Sequence, residues 1–184
     1  MRLTRRQGLV ALSLLAAARL HAAPEDEALR TPDGLVLLMR HALAPGGGDP
    51  PGMLLDDCSS QRNLSDEGRA QARRIGAALR ARQLPVGALW HSQWCRTRET
   101  AELLGLATPQ PEPLFNSFFE DPQREQGFVD AARPRLAAWR GPGALLVVTH
   151  QVNITALSGV FPASGEIVLM RFEPAPRLLG RLQL

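Results

Sequence analysis

The sequence predicts a three-layer α/β/α domain with a largely parallel central sheet. Short apolar runs bounded by glycine and proline, at 35–39 and 144–148, are typical of strands buried in such a sheet. Helical periodicity alternates with these runs along the chain, which is the pattern of strand–helix–strand crossovers. At 184 residues the chain is long enough for one such domain with a substantial core.

Residues 1–22 are expected to be a cleaved signal peptide, which leaves 23–184 as a single domain. Three arginines lie in 1–7, residues 8–18 are nearly all apolar, and small residues follow at 22 and 23. The apolar stretch is shorter than the roughly 20 residues that a stable membrane anchor needs. We therefore expect an exported, periplasmic protein without such an anchor. The Arg5-Arg6 pair leaves the general and twin-arginine export routes both open.

The charge balance changes once this segment is removed. Four of the 21 basic residues and none of the 18 acidic ones lie in 1–22, so the mature chain has 17 basic and 18 acidic residues. The basic excess therefore belongs to the signal and does not indicate a nucleic-acid partner. Every basic residue is arginine, which excludes a lysine nucleophile. Nothing in the sequence indicates the oligomeric state.

The first half of the domain begins with the strand at 35–39. A loop rich in glycine and proline follows at 44–52, and it is either a substrate-covering loop or a surface insertion. Residues 65–82 are predicted to form an amphipathic helix, because Ser65 is a good N-cap and apolar residues recur at helical spacing. A short strand at 86–91 and a helix within 92–104 complete this half.

In the second half, prolines at 109–113 interrupt the pattern, and a helix is predicted over 123–139. The strand at 144–149 follows a Gly-Pro-Gly turn, and a short helix is predicted over 153–160. Two closing strands are predicted over 166–172 and 178–182. Cys58 and Cys95 both fall in loops, and for an exported protein we expect a disulfide between them rather than two free thiols.

Two predicted strands end in histidine. The first is followed by Arg40 and His41, and the strand at 144–149 is followed by His150. Because ligands of α/β sheets bind beyond the carboxyl ends of the strands, these side chains are expected to share one site. Two histidines beside an arginine indicate an anionic ligand and phosphate chemistry.

Four blocks of the chain resemble, in order, the motifs of the histidine phosphatase superfamily, whose fold is phosphoglycerate-mutase-like. The first block is Arg-His-Ala at 40–42, where the family has Arg-His-Gly. The others are Leu-Ser-Asp-Glu-Gly-Arg-Ala-Gln-Ala at 64–72, Ser-Gln-Trp-Cys-Arg-Thr-Arg-Glu-Thr-Ala at 92–101, and the strand ending in histidine at 147–150. The resemblance covers most of the mature chain.

The resemblance implies a role for each matching residue. His41 would be the nucleophile that forms a phosphohistidine, and His150 would stabilise charge on the transferring group. Arg40 and Arg96 would hold phosphate oxygens by forked hydrogen bonds. Arg62 matches a third phosphate-binding arginine of some small members, and we favour this role over the alternative of an exposed arginine before a helix.

The general acid departs from the family pattern. One branch of the superfamily has a glutamate where this chain has Asn116, and the other has an aspartate where it has Gln151. An amide cannot protonate a leaving group, so both residues are expected only to contact substrate. Either Glu120 or Asp121 supplies the proton, with Glu120 preferred, or the leaving group needs little protonation.

The sequence therefore predicts an exported, metal-independent phosphatase without a cofactor. Its partner would be a small phosphorylated substrate, either a phosphomonoester or a sugar phosphate, hydrolysed through a phosphohistidine. The alternative is a non-catalytic phosphate- or phosphosugar-binding protein that keeps the pocket. A zinc protein is disfavoured, because the histidines and cysteines are not clustered at metal-ligand spacing.

Overall fold

The structure, a computed structural model, describes residues 24–184. The predicted signal peptide at 1–22 lies outside the described residues, so the division into a signal and a mature domain stays a prediction. Within residues 24–184, no helix combines the length and apolar character needed to cross a membrane.

A six-stranded sheet forms the centre of the domain, in the spatial order β3-β2-β4-β1-β5-β6. The first four strands in this order are parallel to one another, and β5 is antiparallel to both of its neighbours, β1 and β6. The strands are β1 (Val36–Arg40), β2 (Val86–His91), β3 (Pro109–Pro111), β4 (Ala144–Thr149), β5 (Ile167–Arg171) and β6 (Arg177–Leu182). The predicted α/β fold with a largely parallel sheet is confirmed.

Helices cover both faces of the sheet. In the described part of the chain the α-helices are α1 (Pro24–Arg30), α2 (Asp66–Ala81), α3 (Cys95–Leu104), α4 (Glu125–Ala137) and α5 (Gln151–Ser158). Ile75 of α2 and Leu104 of α3 pack with Leu37 and Met39 on one face. On the other face, helices α4 and α5 pack against the alternate residues of β1. Central strands buried on both faces explain why their sequences are continuously apolar.

Three segments differ from the sequence prediction. The proline-rich segment at 109–113 does not simply interrupt the pattern, because Pro109–Pro111 pairs with β2 as an edge strand. An edge tolerates proline because only one side of the strand is hydrogen-bonded. Helix α4 begins at Glu125 after a 3₁₀ turn at Pro122–Arg124. Helix α5 begins at Gln151, directly after His150, and ends at Ser158. Its C-cap is Gly159, which has a φ of 73°.

Helix α2 lies against the backbone that follows His41. Its N-cap, Ser65, accepts a hydrogen bond from the N–H of Gly68 at 3.0 Å, as the sequence predicts. A Cβ atom on Gly68 would lie 2.0 Å from the carbonyl oxygen of Leu43. Glycine at this position therefore permits the close approach of α2 to the segment that carries His41.

We expect Gly68→Ala to destabilise the protein by at least about 2 kcal/mol, because the helix must move away from Leu43. Gly127→Ala is the matched control, since a Cβ on Gly127 in α4 meets nothing within 4 Å. Alanine there should be neutral or stabilising by about 0.5–1 kcal/mol. Urea unfolding followed by circular dichroism measures both variants, and equal stabilities would contradict the close packing of α2.

Candidate active site

The two strand-end histidines lie side by side. Strands β1 and β4 pair in parallel with Arg40 opposite Thr149, and the N–H of His41 donates to the carbonyl of Thr149 at 3.0 Å. The next residues, His41 and His150, therefore leave the sheet at the same level. Their ring centroids are 5.6 Å apart in an edge-to-face arrangement, and the two residues are only 3 % and 4 % exposed.

Hydrogen bonding determines the tautomer of His41. Its Nδ1 lies 2.8 Å from the carbonyl oxygen of Ala42. A carbonyl oxygen only accepts, so Nδ1 carries the proton and Nε2 has a free lone pair. Burial, followed by the positive charge of Arg96, lowers the pKa of His41 to about 3. The imidazole is therefore neutral near pH 7, with Nε2 as its nucleophilic atom.

His150 uses both ring nitrogens. Nε2 lies 2.7 Å from the hydroxyl of Ser92, and Nδ1 lies 3.5 Å from Nη2 of Arg96. A guanidinium only donates, so Nδ1 is the acceptor and Nε2 donates to Ser92. Burial and the charge of Arg96 lower the pKa of His150 well below its ordinary value. The ring of Trp94 packs against it edge-on, at 5.2 Å between centroids.

Four arginines line the same cavity as the histidines, and one of them, Arg124, is exposed. The cavity has a volume of about 700 Å³, and Arg40, Arg62 and Arg96 lie on its wall with His41 and His150. Burial, with the nearby charge of Arg96, lowers the pKa of Arg40 and of Arg62. Each of these guanidinium groups is destabilised by its cationic neighbour, and an anion in the cavity would relieve that repulsion.

Arg96 is paired with a carboxylate that sequence reasoning did not identify. Its two terminal nitrogens donate to Asp49, Nη1 to Oδ1 at 2.6 Å and Nη2 to Oδ2 at 2.9 Å. Asp49 also accepts hydrogen bonds from Nε1 of Trp94 at 2.9 Å and from the backbone N–H of Arg62 at 3.2 Å. The only sequence signal was its place between glycines and prolines in the loop after His41.

The other two arginines bond to backbone carbonyls. Arg62 donates from Nε to the carbonyl oxygen of Gly48 at 2.7 Å and from Nη1 to that of Ala44, so it holds the loop at 44–52 in place. Arg40 donates from Nη1 to Pro162 at 3.0 Å. Within residues 24–184, the Nε–H groups of Arg40 and Arg96 are buried without a protein acceptor. A buried donor without an acceptor costs free energy, which a bound oxyanion could offset.

The remaining predicted site residues separate into two groups. Glu120, Asp121 and Gln151 line the cavity, and Glu120 is exposed. Asn116 does not line the cavity, because its side-chain amide is bonded to Gln93. Its Oδ1 accepts from the backbone N–H of Gln93, and its Nδ2 donates to Oε1 of Gln93, each at 2.8 Å. The expectation that Asn116 contacts substrate is therefore not supported by its position, which joins two loops behind the site.

Aromatic side chains at the mouth of the cavity were also missed. Phe119 and Phe161 line it and are 54 % and 69 % exposed, and Phe118 lies beside them. Phenylalanines in loops carry no sequence signal that distinguishes them from core residues. Among the described residues, no group of three or more histidine, cysteine or acidic side chains is arranged to hold a metal ion.

The predicted disulfide between Cys58 and Cys95 is confirmed, with a Cα–Cα distance of 5.7 Å. It joins the segment after the 44–52 loop to the first residue of α3, next to Arg96. The N–H of Cys95 also donates to the side chain of Gln61 at 2.9 Å. The loop that carries Asp49 is therefore connected to β1 at one end and to the start of α3 at the other.

Comparison with known proteins relates the chain to one superfamily model and to several solved structures. The model of the histidine phosphatase superfamily (branch 1) matches residues 36–120. No curated protein sequence matches the chain significantly. Similar solved structures include a phosphoglycerate mutase from Thermus thermophilus, at 22 % identity over 82 % of this chain and 99 % of that one, with a TM-score of 0.54.

Two phosphatase structures are also similar. A mycobacterial glucosyl-3-phosphoglycerate phosphatase in complex with VO3 has 16 % identity, covers 78 % of this chain and 96 % of its own, and gives a TM-score of 0.59. The protein histidine phosphatase SixA in complex with tungstate has 15 % identity, with 81 % and 96 % coverage and a TM-score of 0.54. At these identities the likeness shows the shared fold.

The neutral state of His41 predicts how stability depends on pH. Between the ordinary pKa of 6.5 and about 3, the unfolded chain binds a proton at His41 and the folded chain does not. Lowering the pH in this window therefore favours unfolding, by about 1.4 kcal/mol per pH unit from this residue. His41→Gln should have a correspondingly shallower pH dependence than the wild type. Urea unfolding at pH 6, 5 and 4.5 measures both slopes, and parallel slopes would contradict a buried neutral His41.

Proposed function

We propose that this chain, a phosphoric-ester hydrolase of the histidine phosphatase superfamily, is an exported, metal-independent enzyme that hydrolyses a small phosphomonoester or a sugar phosphate through a phosphohistidine. The observation that carries this proposal is the state of His41 in its cavity. A buried, neutral imidazole with its Nε2 lone pair free lies beside three arginines. A nucleophile and a cationic oxyanion site are the two requirements of phosphoryl transfer.

The chemistry takes place in two steps. In the first, Nε2 of His41 attacks phosphorus, an N–P bond forms, the ester P–O bond breaks and the leaving oxygen takes a proton. In the second, water attacks phosphorus and the N–P bond breaks, which releases inorganic phosphate and returns a proton to the site. The Nδ1–H bond to Ala42 holds the ring in position and stabilises the charge that it gains when phosphorylated.

The arginines supply electrostatic stabilisation. Arg40, Arg62 and Arg96 carry three positive charges. A phosphate monoester dianion has two negative charges, so these arginines attract it more strongly than a carboxylate or a neutral ligand. His150 lines the cavity beside His41 and would stabilise charge on the transferring group. A dianion beside it would raise its pKa from the depressed value and favour a protonated, charge-stabilising imidazole.

Glu120 is our candidate for the proton donor. It lines the cavity on the segment between the 3₁₀ turns at Pro113–Phe115 and Pro122–Arg124, where its side chain is exposed. Gln151 lines the cavity but has no acidic proton, and Asn116 is held by Gln93. Asp121 is the neighbouring alternative, and a substrate with a good leaving group would need neither carboxylic acid.

Export is supported by the disulfide. Structural disulfides persist in oxidising compartments, and the bond between Cys58 and Cys95 links two segments next to the site. Together with the arginine-rich, apolar start of the sequence, it supports a periplasmic location for the mature protein.

A non-catalytic phosphate- or phosphosugar-binding protein is the second candidate. The observation that favours it is the exposed position of Glu120 together with amides at Asn116 and Gln151, so neither family acid position carries a carboxylic acid and Glu120 is not buried as a fixed donor. Such a protein would bind phosphate with the same arginines and release substrate unchanged.

Hydrolysis of p-nitrophenyl phosphate distinguishes the two candidates, because its good leaving group makes an acid unnecessary. We expect the mature protein to turn over in the presence of a chelator and His41→Ala to lose at least about 1,000-fold in kcat/KM. His91→Ala is the matched control, since this buried histidine at the end of β2 lies outside the cavity. Phosphate binding without turnover in the wild type would favour the binding protein instead.

The role of Glu120 is tested with aryl phosphates of graded leaving-group pKa. If Glu120 donates the proton, Glu120→Gln should lose about 100-fold or more on phenyl phosphate and little on p-nitrophenyl phosphate. Steady-state kcat/KM across the series measures this difference. An equal effect of the substitution on every substrate would exclude Glu120 as the acid.

A further inference from the structure

Asp49 occupies the face of Arg96 that would bind phosphate. Its two carboxylate oxygens take both terminal nitrogens of Arg96, at 2.6 and 2.9 Å, in the paired geometry with which arginine binds phosphate oxygens. The pair is buried, with side chains 3 % exposed for Arg96 and 11 % for Asp49. Because these groups are in direct contact, a phosphate oxygen and the carboxylate cannot bind the same nitrogens in this geometry together.

The surroundings hold Asp49 in its ionised form. Burial by itself would raise the pKa of this carboxyl, but the hydrogen bonds and charge of Arg96, with the donors of Trp94 and Arg62, hold it below its ordinary value. Asp49 is thus an anion in the cavity, and it offsets part of the positive charge that the three arginines create. It is not suited to donate a proton in this position.

The loop that presents Asp49 is rich in glycine and is held at both ends. Gly46 and Gly48 precede it with φ of 90° and 66°, and a Cβ on Gly47 would meet nothing within 4 Å. The loop is connected to the active-site strand at Arg40 and His41 on one side. On the other, the disulfide at Cys58 keeps its far end next to Arg96, so a displaced Asp49 stays close.

Together these observations point to one role, and the inference rests on the proposed phosphate site. We propose that Asp49 is an internal phosphate mimic, which competes with the phosphoryl group of substrate and product for Arg96. Binding of a phosphate monoester displaces the carboxylate from both nitrogens of Arg96. When phosphate departs, Asp49 returns, which weakens product binding and speeds its release. No covalent bond changes in this exchange.

Direct binding of inorganic phosphate tests the proposal without requiring turnover. Asp49→Asn keeps the shape of the side chain and one acceptor oxygen, for either the Arg62 N–H on Oδ1 or the Trp94 Nε1–H on Oδ2, but it removes the charge. Because a buried charge-assisted pair no longer has to be broken, calorimetry should show phosphate binding about tenfold or more tighter than in the wild type. Asp49→Ala should show a gain in the same direction.

Asp56→Asn is the matched control, because it removes one negative charge from an exposed position in the same segment, away from Arg96. Its phosphate affinity should equal that of the wild type. In kinetics with p-nitrophenyl phosphate, Asp49→Asn should lower KM and the inhibition constant of phosphate in parallel. Thermal unfolding establishes that each variant is folded before binding is measured.

Unchanged or weaker phosphate binding by folded Asp49→Asn would overturn the proposal, since it would mean that Asp49 supports Arg96 for phosphate binding or has no part in it. An equal gain in Asp56→Asn would also overturn it, because the effect would then be one of net charge. Tighter binding in Asp49→Asn without turnover by the wild type would uphold the competition while rejecting the phosphatase function. Turnover by the wild type with unchanged phosphate affinity in Asp49→Asn would uphold the phosphatase function and reject the competition.

Discussion

The parallel pairing of β1 with β4 is the constraint on which the site depends. Both strands are buried on both faces, so their backbone groups must be hydrogen-bonded to each other and their register cannot slip at low cost. That register places Arg40 opposite Thr149 and hence His41 next to His150. A shift by one residue would turn one imidazole to the opposite face of the sheet. The hydrophobic core therefore determines the distance between the two histidines.

Charge in the cavity follows from this arrangement. Burial keeps both imidazoles neutral, so the positive charge comes from arginines, which remain charged when partly buried. The guanidinium groups of Arg40, Arg62 and Arg96 repel one another. Asp49, in the loop that follows His41, offsets part of this repulsion. The positive charge of the cavity can thus be compensated either by Asp49 or by the phosphate that the site is proposed to bind.

The disulfide connects stability with the site. It closes a loop with a sequence separation of 37 between Cys58 and Cys95, which in the chain-entropy model stabilises a domain by about 3 to 4 kcal/mol. Its position matters as much as its energy, because Cys95 precedes Arg96 at the start of α3. The start of α3, which carries Arg96, and the segment that follows Asp49 are consequently kept together by this bond.

The amino-acid sequence by itself determined the features that depend on local pattern and on residues at strand ends. These include the alternating strands and helices, the Ser65 cap, the pairing of Cys58 with Cys95, and the placement of His41 and His150 at one sheet edge. Tertiary structure alone decided which loop residues reach the cavity. Asp49 entered it because the glycine-rich loop folds back over Arg96, and Asn116 was excluded because Gln93 binds its amide. Loop conformations depend on contacts between residues far apart in the chain, and a local sequence pattern does not encode those contacts.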